Sequence, residues 1–111
     1  MRPPRVELLW WEGCPSTDEA LRMLREEMAA VGLDPEGVDV REVSTDSDAQ
    51  REQFVGSPTI RVDGHDVQPV PDEPIGLSCR VYRTSDGRIS PLPDAAEVRQ
   101  TLTDAMKGDE V

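Results

Sequence analysis

Cysteine is scarce in this sequence. Cys14 and Cys79 are the only two in 111 residues, too few for a disulfide framework, and a reducing compartment keeps such thiols free unless redox chemistry is their task. Basic residues are in deficit as well. Twelve Lys and Arg against 23 Asp and Glu give a net charge of −11 and a pI near 4.4, which speaks against nucleic acid or an anionic membrane as a partner. No apolar run is long enough to span a bilayer, and Met-Arg-Pro-Pro-Arg leads into a strand too short and too charged for a signal peptide. A cytoplasmic location is expected. His65 is the only histidine; it follows a turn signal and reads as a solvated imidazole, so no metal site or cofactor is expected. The eight glycines are scattered at turns and helix ends, which excludes a phosphate-cradling loop, and the carboxylates form no constrained acid/base pair.

What is present centres on residues 6–17. Val6, Leu8, Leu9, Trp10 and Trp11 form the near-continuous apolar run of a strand covered on both faces. Gly13 lets the chain bend, Pro15 suits a first helical turn, and Ser16 with Glu19 has capping-box spacing. Cys14 therefore sits where a helix's free N–H groups favour a thiolate, the nucleophilic form. Leu21, Leu24, Met28 and Val31 make residues 16–31 an amphipathic helix ended by Gly32. Val38, Val40 and Val43 mark a parallel second strand, and 45–54 a short surface helix capped at Asp46 or Ser47 and anchored by Phe54 and Val55.

Ser57-Pro58-Thr59 then opens a strand at Ile60–Val62, with Asp63-Gly64 as its turn. Pro69, Pro71 and Pro74 predict an extended loop from His65 to Ser78, followed by a fourth strand at Cys79, Val81 and Tyr82 that Ile89 briefly extends after a turn at 85–87. A final helix starts at Asp94, which has acidic-cap spacing to Glu97. Ala95, Val98, Leu102 and Ala105 or Met106 give it one apolar stripe, and 107–111 is expected to fray. One α/β domain over 1–111 is expected, with a four-stranded mixed sheet and about three helices.

This order, with Gly-Cys-Pro-x-Thr after the first strand and Ser-Pro-Thr before the third, resembles the thioredoxin-like superfamily over nearly the whole chain. It is most similar to small bacterial single-thiol thioredoxin-family proteins that carry Gly-Leu-Ser-Cys-Arg-Val-Tyr, some of them labelled alkylmercury-lyase-like. The resemblance implies that Ser57-Pro58 is cis and lies beside Cys14. Thr17 stands where a dithiol relative has its second cysteine, which excludes exchange by adjacent thiols. Thr84-Ser85-Asp86-Gly87 does not reproduce the glutathione-binding turn.

Two readings from different classes follow. In the first, Cys14 is the nucleophile of a thiol–disulfide oxidoreductase or thiol transferase acting on a small thiol or a protein disulfide, and the backbone of Ser57, with Pro58 and Thr59, presents an edge to an extended substrate. Pro15 tunes the turn, and Thr17 either bonds the Cys14 sulfur or caps the helix. Cys79 either resolves a mixed disulfide at Cys14, if the proline-rich loop returns over this end, or is a buried strand residue. In the second reading the chain is a non-catalytic binding module that uses the proline edge for a protein partner, with Cys14 at most binding a small thiol or a soft metal.

Overall fold

A computed structural model describes residues 3–108. Strand β1 (Val6–Trp10) is followed by α1 (Thr17–Ala30), a 3-10 turn at Pro35–Gly37, β2 (Val38–Glu42), α2 (Asp46–Glu52), β3 (Thr59–Val62) and β4 (His65–Asp66). Strands β5 (Tyr82–Arg83) and β6 (Ile89–Ser90) form a separate hairpin before α3 (Ala95–Gly108). The main sheet runs β2-β1-β3-β4, with β1 parallel to β2 and antiparallel to β3. The chain is thus α/β, with a four-stranded mixed sheet and three α-helices. Among the described residues no helix is long and apolar enough to cross a membrane.

Alternation along β1 sends its side chains to two cores. Val6 and Leu8 pack with Ala20, Leu24 and Met28 of α1 and Val98 and Leu102 of α3. Leu9 faces the other way, onto Val43, Ala49 and Phe54. This central strand carries one charge: Glu7 is 4% exposed, shielded by Arg41 at 2.6 Å and Arg5 at 3.4 Å. The pairing lets a carboxylate occupy a position that would otherwise need an apolar side chain.

Several local expectations change. Ser16 precedes α1 without a side-chain capping bond, and Pro15 lies in the turn ahead of it, so the capping box is not formed. Thr45, not Asp46 or Ser47, caps α2 by accepting the Asp48 N–H at 3.0 Å. At α3 the Asp94 carboxylate accepts the Ser85 N–H at 2.5 Å, and Glu97 accepts from Gln68 at 3.1 Å. Tertiary partners there displace local capping. Of the tail expected at 107–111, Lys107 and Gly108 close α3, and 109–111 lie outside the described residues.

The largest correction concerns the fourth strand, which is His65–Asp66 in the stretch expected to be loop. Residues 79–82 do not join the main sheet as a strand: Cys79 makes one isolated parallel bridge to Ser57, and Tyr82 pairs with Ser90. The reason is the charge this stretch turns inward, Arg80, which is held by Asp66. Arg80 and Tyr82 point inward, while Val81 is 59% exposed. Because α2 is one short helix, its cap should matter: Thr45→Ala is expected to cost about 1 kcal/mol, read as a lower urea midpoint with an unchanged slope.

Candidate active site

The site is built where β1, the start of α1 and the turn before β3 meet. The Cys14 N–H closes a turn onto the Trp11 carbonyl at 3.1 Å. Trp11 packs against the Leu9–Phe54 core, and a Cβ at Gly13 would lie 2.4 Å from its ring. A side chain at position 13 would therefore have to displace the indole. Ser57 ties this turn to the next segment: its hydroxyl accepts the Trp11 N–H at 3.0 Å, and its carbonyl accepts the Cys14 thiol at 3.4 Å. The Ser57-Pro58 bond is cis. Among the described residues no N–H of α1 donates to the Cys14 sulfur.

The edge expected to receive an extended substrate is filled by the chain itself. The Ser57 N–H donates to the Ser78 carbonyl at 2.8 Å, and its carbonyl accepts the Arg80 N–H at 2.8 Å. That pairing resolves the open position of Cys79. Its thiol lies 3.9 Å from the carbonyl of Gly13, the residue before Cys14, close enough for Cys14 to act on its ionisation. Cys79 is exposed and Cys14 buried, at 6% exposure, and both are free thiols. The hydrogen bond to Cys14, then burial, then the charge Cys14 would carry push the Cys79 thiol up to about 11. Cys79 is the thiol that keeps its proton.

Beneath these residues is a polar cluster that periodicity does not reveal. Arg80 holds Asp66 through two bonds, at 2.6 and 2.9 Å, donates to the Gln68 carbonyl, and lies over the Tyr82 ring at 4.3 Å. Tyr82 donates its hydroxyl to the Pro58 carbonyl at 2.5 Å, and burial pushes its phenol well above the ordinary range, so it remains a donor. Gly56 completes the fit at φ +136, where a Cβ would meet the Arg80 backbone at 3.1 Å. The signal for this cluster is the single arginine inside Gly-Leu-Ser-Cys-Arg-Val-Tyr. A charged residue there requires a partner if it turns inward.

Cys14, Ser57, Pro58 and Cys79 are thus brought together. Thr59 is not on the substrate side: it is fully buried, donating to the Gly56 carbonyl at 2.6 Å and accepting from Arg80 at 3.4 Å. Pro15 is exposed beside the turn. Thr17 begins α1, and its buried hydroxyl bonds neither Cys14 nor a backbone donor. Tyr82→Phe should strand the Pro58 carbonyl and cost about 1–2 kcal/mol, measured by chemical denaturation. Comparison with protein-family models, with curated proteins and with solved structures found no match.

Proposed function

We propose that this protein is a cytoplasmic, thioredoxin-like thiol–disulfide oxidoreductase or thiol transferase whose working parts are Cys14, the nucleophile, and Cys79, the second thiol. The observation that carries this reading is the pairing of Ser78 and Arg80 with Ser57, which holds Cys79 beside the turn that carries Cys14. The β-α-β order, the antiparallel β3 and β4, and the cis-proline beside the cysteine turn support the thioredoxin-like assignment. Although Thr17 removes the adjacent-thiol motif, a cysteine distant in sequence supplies the second sulfur.

The exchange balances without a cofactor. The reduced pair gives two electrons and two protons to a disulfide RSSR, leaving a Cys14–Cys79 disulfide and two RSH. A mixed disulfide between one cysteine and R is the intermediate. Cys14 supplies the thiolate that attacks sulfur, at the end of α1 where negative charge is favoured. Pro58 and the Ser57 backbone hold the two segments in register, with Thr59 and Tyr82 supporting them from below.

Titration of the reduced chain with an aromatic disulfide tests this. Wild type should release two aromatic thiolates per chain, keep none, and end with no free thiol. Cys79→Ser should release one and retain the other on Cys14. A wild-type chain that retains an aromatic group on each cysteine would show that no internal disulfide closes. That result would favour the non-catalytic binding module.

A further inference from the structure

We infer that a small aminothiol reduces the oxidised form of this protein by joining it at Cys79, seated in the cavity beside that residue with its ammonium toward Glu73. This rests on the reading of Cys14 and Cys79 as one redox couple, and it names the reductant. Three observations lead to it. Cys79 is the exposed sulfur while Cys14 is buried, so an incoming thiol reaches Cys79 first. A cavity of about 170 Å³ opens beside it, with Val55, Val70, Glu73, Pro74, Cys79 and Arg80 among its lining residues.

That volume is about six waters' worth at roughly 30 Å³ each, and below the roughly 300 Å³ at which drug-sized pockets begin. It suits a thiol of cysteamine's size and not a peptide. Of its two charged lining residues, Arg80 has its guanidinium held by Asp66, whereas Glu73 makes no ion pair among the described residues. The local field therefore selects a cation. Peptide thiols meet a further obstacle, since the Ser57 edge is already filled by Ser78 and Arg80.

The chemistry runs in the favourable sense. The thiolate RS⁻ attacks the Cys79 sulfur of the internal disulfide, forming Cys79–S–S–R and expelling Cys14 as the thiolate. A second RS⁻ attacks the R sulfur, giving RSSR and Cys79, which takes up a proton. Two electrons pass from two RSH to the protein. Attack at the other sulfur would require the incoming thiolate to reach Cys14, which is buried.

The test uses the full chain, oxidised, at 0.15 M salt. Cysteamine and 2-sulfanylethanesulfonate are compared as rates per thiolate, and the first adduct is mapped by alkylation and peptide mass spectrometry. Cysteamine should be found on Cys79 with Cys14 alkylated, and should react on the order of thirty-fold faster than the sulfonate, the effect of one carboxylate near 4 Å on two opposite charges in water. Glu73→Gln changes the net charge of −11 by only one, so a ratio set by Glu73 should fall several-fold, whereas one set by the whole protein's field should not. An adduct on Cys14, or a ratio unmoved by Glu73→Gln, overturns the inference and leaves the redox couple standing. Absence of a Cys14–Cys79 disulfide in the oxidised chain overturns both.

Discussion

Cys14→Ser is expected to slow reduction of a low-mass disulfide by the reduced chain by on the order of 10³-fold or more, the scale of losing a nucleophile outright. The fold should survive, because a serine hydroxyl can still donate to the Ser57 carbonyl that Cys14 bonds at 3.4 Å. The same variant should make Cys79 easier to ionise. In wild type its thiol is held up to about 11 by the hydrogen bond to Cys14, by burial and by the charge Cys14 would carry. Serine removes the sulfur and that charge, so the midpoint falls toward the ordinary 9.0.

At pH 8 a full return would raise the Cys79 thiolate fraction about a hundred-fold, and the lower nucleophilicity of the more acidic thiol would take back about tenfold. Alkylation of Cys79 should therefore quicken about tenfold in Cys14→Ser, followed site by site by mass spectrometry. An unchanged Cys79 rate would mean that the two sulfurs do not share a proton.

Arg80→Met should produce the largest loss of stability. The Arg80 side chain is 3% exposed and bonds both oxygens of Asp66, at 2.6 and 2.9 Å. Removing one partner leaves the carboxylate short of its countercharge in a largely buried place, which costs about 3–5 kcal/mol. On a chain of this size that corresponds to a fall in Tm on the order of 10–20 °C. The damage should extend to chemistry, since the Arg80 side chain anchors to Asp66 the segment whose backbone pairs with Ser57 and seats Cys79. A slower closure of the Cys14–Cys79 disulfide at a temperature where the variant is folded would register that. Adding Asp66→Leu to Arg80→Met should recover part of the stability, because an apolar replacement of a whole buried pair is often tolerated. A loss below about 1 kcal/mol would show the pair to be solvated.

The parts legible in the sequence were those with short-range physical signals. Val6, Leu8 and Leu9 of the β1 run, Leu24 and Met28 of α1, and Val98 and Leu102 of α3 are all buried, and Trp10 and Trp11 are half-buried. The Ser-Pro-Thr motif pointed to the cis bond at Ser57-Pro58. Pro69, Pro71 and Pro74 lie outside every strand. Other features depend on partners distant in the chain. A two-residue strand such as His65–Asp66 is too short to show a period.

Cys79, Val81 and Tyr82 predict an ordinary strand, yet the residues that turn inward are Tyr82 and the charged Arg80, whose place depends on Asp66. Ser16 had the right spacing for a cap and makes none. The Ser57 edge, read as free for a substrate, is used by residues 78 and 80, a pairing that proline-rich sequence cannot signal in advance. Sequence alone therefore leaves Cys79 between two positions, and tertiary pairing decides between them.

The most direct test is whether Cys14 and Cys79 oxidise as a pair. The full chain would be mildly oxidised at low protein concentration, its remaining thiols alkylated, and its peptides mapped without reduction. The expected result is a monomer with no alkylated cysteine and a peptide linking Cys14 to Cys79. A chain that stays fully alkylatable, or that oxidises only into dimers, would contradict the central claim that these two thiols form one redox couple.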